Sequence, residues 1–257
     1  MKIAAGYVSA FFLEFAFLIT VLVVINRAKR GLKIPSVQKV AGLDALDEAI
    51  GRATEMGRPV HFSPGIGYVD NAQTLAAFSI LSYVARACAK YDTGLIVTNR
   101  YSVVHPITDG IVREAYIEAG KPESFVPDNI RFLSEEQFAY ASGVTGIMLR
   151  EKPAANLLLG AFWAESLIFA EVGNSIGSIQ ISGTANIAQI PFFVAACDYC
   201  LMGEELFCAS AYLSKDPVLL GNLIAEDWGK MVIIALICIG AILETFGNPA
   251  LTNLLAK

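Results

Sequence analysis

Two long apolar runs, one at each end of the chain, constrain this sequence more than any other feature. Residues 3–25 are almost all apolar or small. At about 1.5 Å per residue such a helix measures roughly 34 Å, enough to cross a hydrocarbon core of about 30 Å with some tilt. The second run, residues 231–243, follows Trp228 and Lys230, with the indole where an interfacial aromatic belongs. Apolar residues make up 55% of the chain and charged ones 17%. The excess sits at the two ends, which leaves the middle with the composition of one ordinary globular core.

A cleaved signal peptide is the competing origin of the first run. The run is longer than a signal core, only Lys2 precedes it, and Arg27, Lys29 and Arg30 follow where small cleavage-site residues would be needed. A retained transmembrane helix is therefore expected over 1–27. Arg27, Lys29, Arg30, Lys33 and Lys39 outnumber Lys2, so the linker 28–41 and the domain beyond it are expected in the cytoplasm. An interfacial segment at 217–228, a second crossing at 229–247 and a short tail at 248–257 then put both termini outside a cell (inner, cytoplasmic) membrane.

Glu14 falls near the middle of the first run, where an ionised carboxylate exposed to lipid costs roughly 2.5 to 3.5 kcal/mol even on insertion-based scales. It must protonate, pair or face protein. An ion or proton site is one outcome and a polar contact between helices the other. Ala4, Ala5, Gly6, Ser9 and Ala10, with Gly240 and Ala241 on the second run, would allow close backbone approach. The expectation is that the first helix packs on the second, or on a neighbouring subunit, in a homo- or hetero-oligomer.

Residues 42–216 alternate between short apolar runs and helical periodicity. Strands are expected at 59–63, 94–98, 129–133, 156–162 and 178–182. Helices are expected at 43–56, 72–91, 109–119, 134–149, 164–172 and 191–213, with Ser134 and Gln137 forming a capping box. Residues 167–170 also fit a strand. Repeated βα units imply an α/β fold: a mainly parallel sheet with helices on both faces, Rossmann-like, flanked by the N-terminal and C-terminal transmembrane helices. Between residues 31 and 227 there are 13 Lys and Arg against 22 Asp and Glu. That excess of acid repels phosphate backbones, so nucleic acid is not an expected partner and the lipid bilayer is.

Gly65-Ile66-Gly67 lies between a strand and a helix, where doubly wound folds hold phosphate, although the third glycine of the dinucleotide fingerprint is missing. A tight turn without ligand explains it as well. Asn71 precedes the following helix, and Ser182, Gly183, Thr184 and Asn186 form a second small, polar loop expected at the same sheet end. Gly65, Gly67, Asn71, Ser182, Gly183, Thr184 and Asn186 are the candidate ligand contacts. Gly173-Asn174-Ser175-Ile176-Gly177 matches a nucleophile elbow, but both histidines, His61 and His105, lie upstream and a strand follows, so Ser175 is rejected as a nucleophile. Cys197 and Cys200, with Cys208 beyond, lack a second ligand pair and read as packing cysteines on a helix; no metal site is expected. Five cysteines, one in a membrane run, do not make a disulfide framework. Glu165, Glu171, Glu204 and Glu205 are carboxylates near expected buried surface. No phosphate-binding lysine loop, zinc helix or calcium loop occurs, and no cofactor is assigned.

The segments 57–67 and 183–191 resemble parts of an uncharacterised prokaryotic membrane-protein family, over most of the chain. The resemblance implies a membrane-plus-domain arrangement and carries over no activity. Two functions follow from the residues. One is a non-catalytic structural or assembly component of an oligomeric membrane complex. The other is a membrane-tethered Rossmann-like domain that binds or processes a nucleotide-like or other small anionic ligand.

Overall fold

A computed structural model describes residues 8–30 and 41–246. The elements are α1 (Val8–Lys29), α2 (Ala41–Met56), β1 (Val60–Gly65), α3 (Ala72–Tyr91), β2 (Leu95–Asn99), α4 (Val104–Glu118) and β3 (Ile130–Phe132). There follow α5 (Gln137–Glu151), β4 (Ala155–Ala161), α6 (Glu165–Ser175), β5 (Ile179–Thr184), α7 (Ile190–Ala196), β6 (Tyr199–Met202), α8 (Glu204–Ser214) and α9 (Pro217–Thr245). They group into two compact units, residues 38–214 and the pair of terminal segments 1–37 and 215–257.

The first unit is built on one sheet of order β3-β2-β1-β4-β5-β6 in which every pairing is parallel. β1, β2 and β4 are buried at every residue, which requires helices on both faces. Alternation along the strands sorts the side chains. Phe62, Val97, Leu157, Leu159 and Ile181 join Leu46 of α2, Ile80 and Leu81 of α3, Val112 of α4 and Leu206 of α8 in one core. Leu158 and Phe162 pack with Tyr140 and Met148 of α5, Phe169 of α6 and Phe193 of α7 in a second core on the opposite face. Each fully buried leucine or phenylalanine contributes about 1.5–3 kcal/mol.

Three local expectations differ from the structure. The helix after β2 begins at Val104, five residues before the expected start, because Pro106 is accommodated in its first turn. The capping box of Ser134 and Gln137 does not form. Glu136 caps α5 instead, accepting from the Phe138 and Ala139 amides at 3.1 and 2.5 Å, while Ser134 Oγ accepts from the Glu136 amide. A carboxylate at a helix N-terminus outcompetes a hydroxyl for the same amides. The single helix expected over 191–213 is a helix, an edge strand and a second helix. Asp198 interrupts it, its Oδ2 accepting from the Gln180 amide at 2.7 Å, and Gly203 turns the chain back with φ +60°. Cys197 and Cys200 thus lie at the end of α7 and in β6, not on a helix face. Residues 167–170 are helical.

In the second unit, α1 and α9 are each long and apolar enough to cross a membrane, over 19 residues (Phe11–Lys29) and 29 residues (Pro217–Thr245). α9 is continuous through residues 228 and 229, where a change from interfacial to membrane segment was expected, and is capped by Asp216 accepting from the Val218 amide at 2.7 Å. The helices run antiparallel and touch where α9 has no side chain. A Cβ on Gly221 would lie 3.0 Å from Ile25 Cα, and one on Gly229 would lie 2.8 Å from the Phe17 ring. Lys2, Ala4, Ala5, Gly6, Lys33, Lys39 and the tail 248–257 lie outside the described residues.

Candidate functional site

The strand order reverses between β1 and β4, so the loops leaving their carboxyl ends turn to opposite faces. In doubly wound sheets this is where ligands enter. At this point the two backbones meet at closest approach. The register of β1 on β4 shifts between Ser63 and Gly65, and the Ile66 amide donates to Ala161 O at 2.7 Å. Gly65 has φ +81°, and a side chain there would collide with the Ala161 carbonyl. A Cβ on Gly67 would strike Thr74 Oγ1. Both glycines of the candidate phosphate loop are therefore required by contacts within the chain.

The structure brings the two candidate loops together through Gln73, and their polar groups are spent largely on contacts within the chain. Asn71 Oδ1 accepts from the Gln73 amide at 2.9 Å and caps α3. Gln73 Oε1 then accepts from Thr184 Oγ1 at 3.0 Å and the Ala185 amide at 2.7 Å, joining the first turn of α3 to the loop after β5. Asn186 Nδ2 donates to Phe162 O at 3.0 Å, and Ser182 Oγ donates to Tyr199 O at 3.2 Å. Gly183 is buried, with Leu159, Leu201 and Leu206 around its Cα.

Hydrogen-bonding capacity is left over beside them. Among the described residues, the buried side-chain atoms without a partner are Thr74 Oγ1, both amide atoms of Asn99, and Nδ1 of His105. They come from the first turn of α3, the last residue of β2 and the first turn of α4. These elements share one face and one end of the sheet. A buried polar group without a partner costs about 1–3 kcal/mol, so this corner favours a polar partner from outside the chain. Next to it, Arg100 lies 4.9 Å over the Tyr101 ring and donates to Glu135 O at 3.0 Å, while Tyr68 meets Tyr101 edge to face. Bonds from the Ser102 hydroxyl and amide hold the Glu135 carboxyl below its usual range.

On the opposite face a cleft of about 510 Å³ is lined by Gln137, Trp163, Ala164, Leu167, Gln189 and Phe192. Glu165 is buried beside it and accepts from Gln137 Nε2 at 2.6 Å and the Trp163 amide at 2.8 Å. Glu171 is exposed. Across the middle of the sheet runs a polar row whose functional groups sequence reasoning missed. His61 Nε2 meets Thr98 Oγ1 at 3.0 Å, His61 Nδ1 meets Asn156 Oδ1 at 2.6 Å, and Asn156 Nδ2 donates to Gln180 Oε1 at 3.1 Å. Gln180 Nε2 finishes the row on Ala170 O. Because Asn156 offers its carbonyl, Nδ1 carries the proton and Nε2 accepts from Thr98. Burial pushes the His61 pKa down to about 4, so the ring is neutral. The available signal was a polar residue at the same register position of β1, β4 and β5, His61, Asn156 and Gln180, with Thr98 two residues beyond that level on β2.

Ser175 ends α6 and donates to Val172 O at 2.7 Å, remote from the geometry of an elbow. All five cysteines are free, and burial pushes the Cys197 thiol up to about 12. No group of three His, Cys, Asp or Glu suited to a metal occurs among the described residues. Glu14 is exposed on α1 and has no hydrogen bond or ion pair among the described residues.

The fold and helices thus define a class: a six-stranded, all-parallel α/β domain carried with two terminal helices fit to cross a membrane. Residues 3–255 match the family described as a domain of unknown function, DUF6754, and the chain belongs to that family. No curated protein and no solved structure matches it.

Proposed function

We propose that this chain is a membrane-anchored, non-catalytic component that assembles with other subunits through α1 and α9 and carries its α/β domain on the cytoplasmic side. The observation that carries this is Glu14, exposed on an apolar helix with no partner among the described residues of its own chain. In lipid that carboxylate is costly, and a neighbouring subunit would remove most of the cost. The cationic flank of Arg27, Lys29 and Arg30 supports a cytoplasmic placement, with both termini outside the cytoplasmic membrane. Native mass spectrometry from mild detergent tests the assembly: an oligomer is expected, and a strictly monomeric protein would overturn it.

A second reading is favoured by a different observation, the unpartnered atoms of Thr74, Asn99 and His105. The domain would then bind a small polar ligand at the carboxyl end of the sheet. Gly65, Gly67, Asn71, Ser182, Gly183, Thr184 and Asn186 would form the adjoining rim, and the N-termini of α3 and α4 favour an anionic or nucleotide-like group. A retained small molecule in the native spectrum, lost in Asn99→Leu, is the expected result; equal retention by the variant would sink it.

A further inference from the structure

We infer that the partner is a second copy of this chain, held by Glu14 of one copy paired with Lys230 of the other. This rests on the membrane assembly proposed above. The argument begins with the register of the two helices. Ile25 lies against Gly221 and Phe17 against Gly229, the same eight-residue step taken in opposite directions along α1 and α9. Three residues further brings Glu14 level with Val232, so Lys230 lies only about 3 Å from it in depth.

The same register carries Glu226, Asp227 and Lys230 to the level of residues 16–20 of α1, beside apolar surface, and not to the water beyond it. Phe15, Phe17, Leu18 and Ile19 are exposed over that stretch and need lipid or protein cover, as do Ile233, Ile234 and Ile237 on α9. A slab that covers both helices therefore encloses one acidic residue of α1 and a charged turn of α9. Glu14 is the only charged residue in 8–26, and Lys230 the only lysine or arginine in 217–245. Lys230 Nζ pairs within its own helix with Glu226 at 3.2 Å and Asp227 at 4.0 Å. Glu14 of a second copy brings to this cluster a carboxylate that lipid cannot solvate, and the ammonium is the cation at its depth able to donate to it.

Two copies inserted in the same direction preserve these depths. Under a two-fold axis along the membrane normal, one contact generates its reciprocal, so the pair forms twice. A different protein would have to supply a complementary charge at this depth, whereas a second copy already has one.

The test uses two differently tagged full-length copies, co-expressed in membranes and captured through one tag. Glu14→Lys alone and Lys230→Glu alone should each weaken self-association about three- to twenty-fold, the range of polar contacts between membrane helices. Co-expressed with each other, they should associate as wild type does, because the lysine introduced on α1 of one copy would then meet the glutamate introduced on α9 of the other. A pair within one chain is not repaired by mixing. Glu14→Gln and Lys230→Met serve where the reversals fail to insert, and each should lose the same association. If the wild type self-associates but the mixed reversals stay as weak as the singles, the pairing is wrong while assembly stands. If the wild type is monomeric, both fall, and an assembly with one copy per complex overturns the second copy as partner.

Discussion

At the scale of single residues, Gly65 and His61 carry the sharpest consequences. Gly65 combines a left-handed backbone with a direct approach to the Ala161 carbonyl, so it fails both tests for replacement. Gly65→Ala should cost about 2–4 kcal/mol, from conformational strain and overpacking together. Chemical denaturation reads this directly, and an unchanged midpoint would show that β1 and β4 can separate. His61 is neutral in the fold at pH values where it is protonated in the unfolded chain. Between its ordinary value near 6.5 and its folded value of about 4, the unfolded state binds the extra proton, so stability is complete above that window and falls as pH drops through it. The limiting loss is about 3 kcal/mol. The pH dependence of unfolding between 4 and 6.5 should flatten in His61→Gln, and an equally steep profile would mean that the ring is not the group responsible.

At the scale of elements, the sequence was legible wherever a run was long or fully buried. The strands at 95–99 and 155–161 stand out by their apolar cores Leu95-Ile96-Val97 and Leu157-Leu158-Leu159, the one at 60–65 by a short run ahead of a Pro-Gly turn signal, and the helix at 72–91 because its period is sustained over 20 residues. β6 was not legible: Tyr199, Cys200, Leu201 and Met202 form four residues at a sheet edge between two helices of similar composition, and only pairing with β5 makes them a strand. Glycine marked close approach correctly in the candidate site, and the groups that approach are the Ala161 backbone at Gly65 and Thr74 Oγ1 at Gly67. The unpartnered Thr74, Asn99 and His105 could not be found from sequence, since a polar residue's lack of a partner is a property of the packed structure. Burial sets the chemistry of the cysteines. Burial pushes the Cys88 and Cys197 thiols up to about 12, leaving almost no thiolate at a pH of about 8. Alkylation of the folded protein at that pH should spare Cys88 and Cys197, with both reacting after denaturation; rapid native labelling of either would contradict the packing around them.

At the scale of the whole molecule, the two compact units separate by the solvent they require. Both hydrophobic cores draw all their buried members from residues 43–209, and none from α1 or α9. Cores that close within one unit make its stability independent of the other. The sheet has its full set of covering helices, α2, α3, α4 and α8 on one face and α5, α6 and α7 on the other, within residues 38–214. By contrast, α1 and α9 leave Phe11, Phe12, Ile233 and Ile237 uncovered, which is tolerable only in lipid or against protein. Residues 38–214 expressed alone should therefore be soluble without detergent and unfold in one cooperative transition with a midpoint close to that of the full-length protein. The full-length chain should need detergent for extraction. Circular dichroism and differential scanning calorimetry on both forms make the comparison. Aggregation of the isolated segment, or a midpoint lowered by more than about 8 °C, equivalent to roughly 2–4 kcal/mol for a domain of this size, would mean that the helices contribute to the core after all.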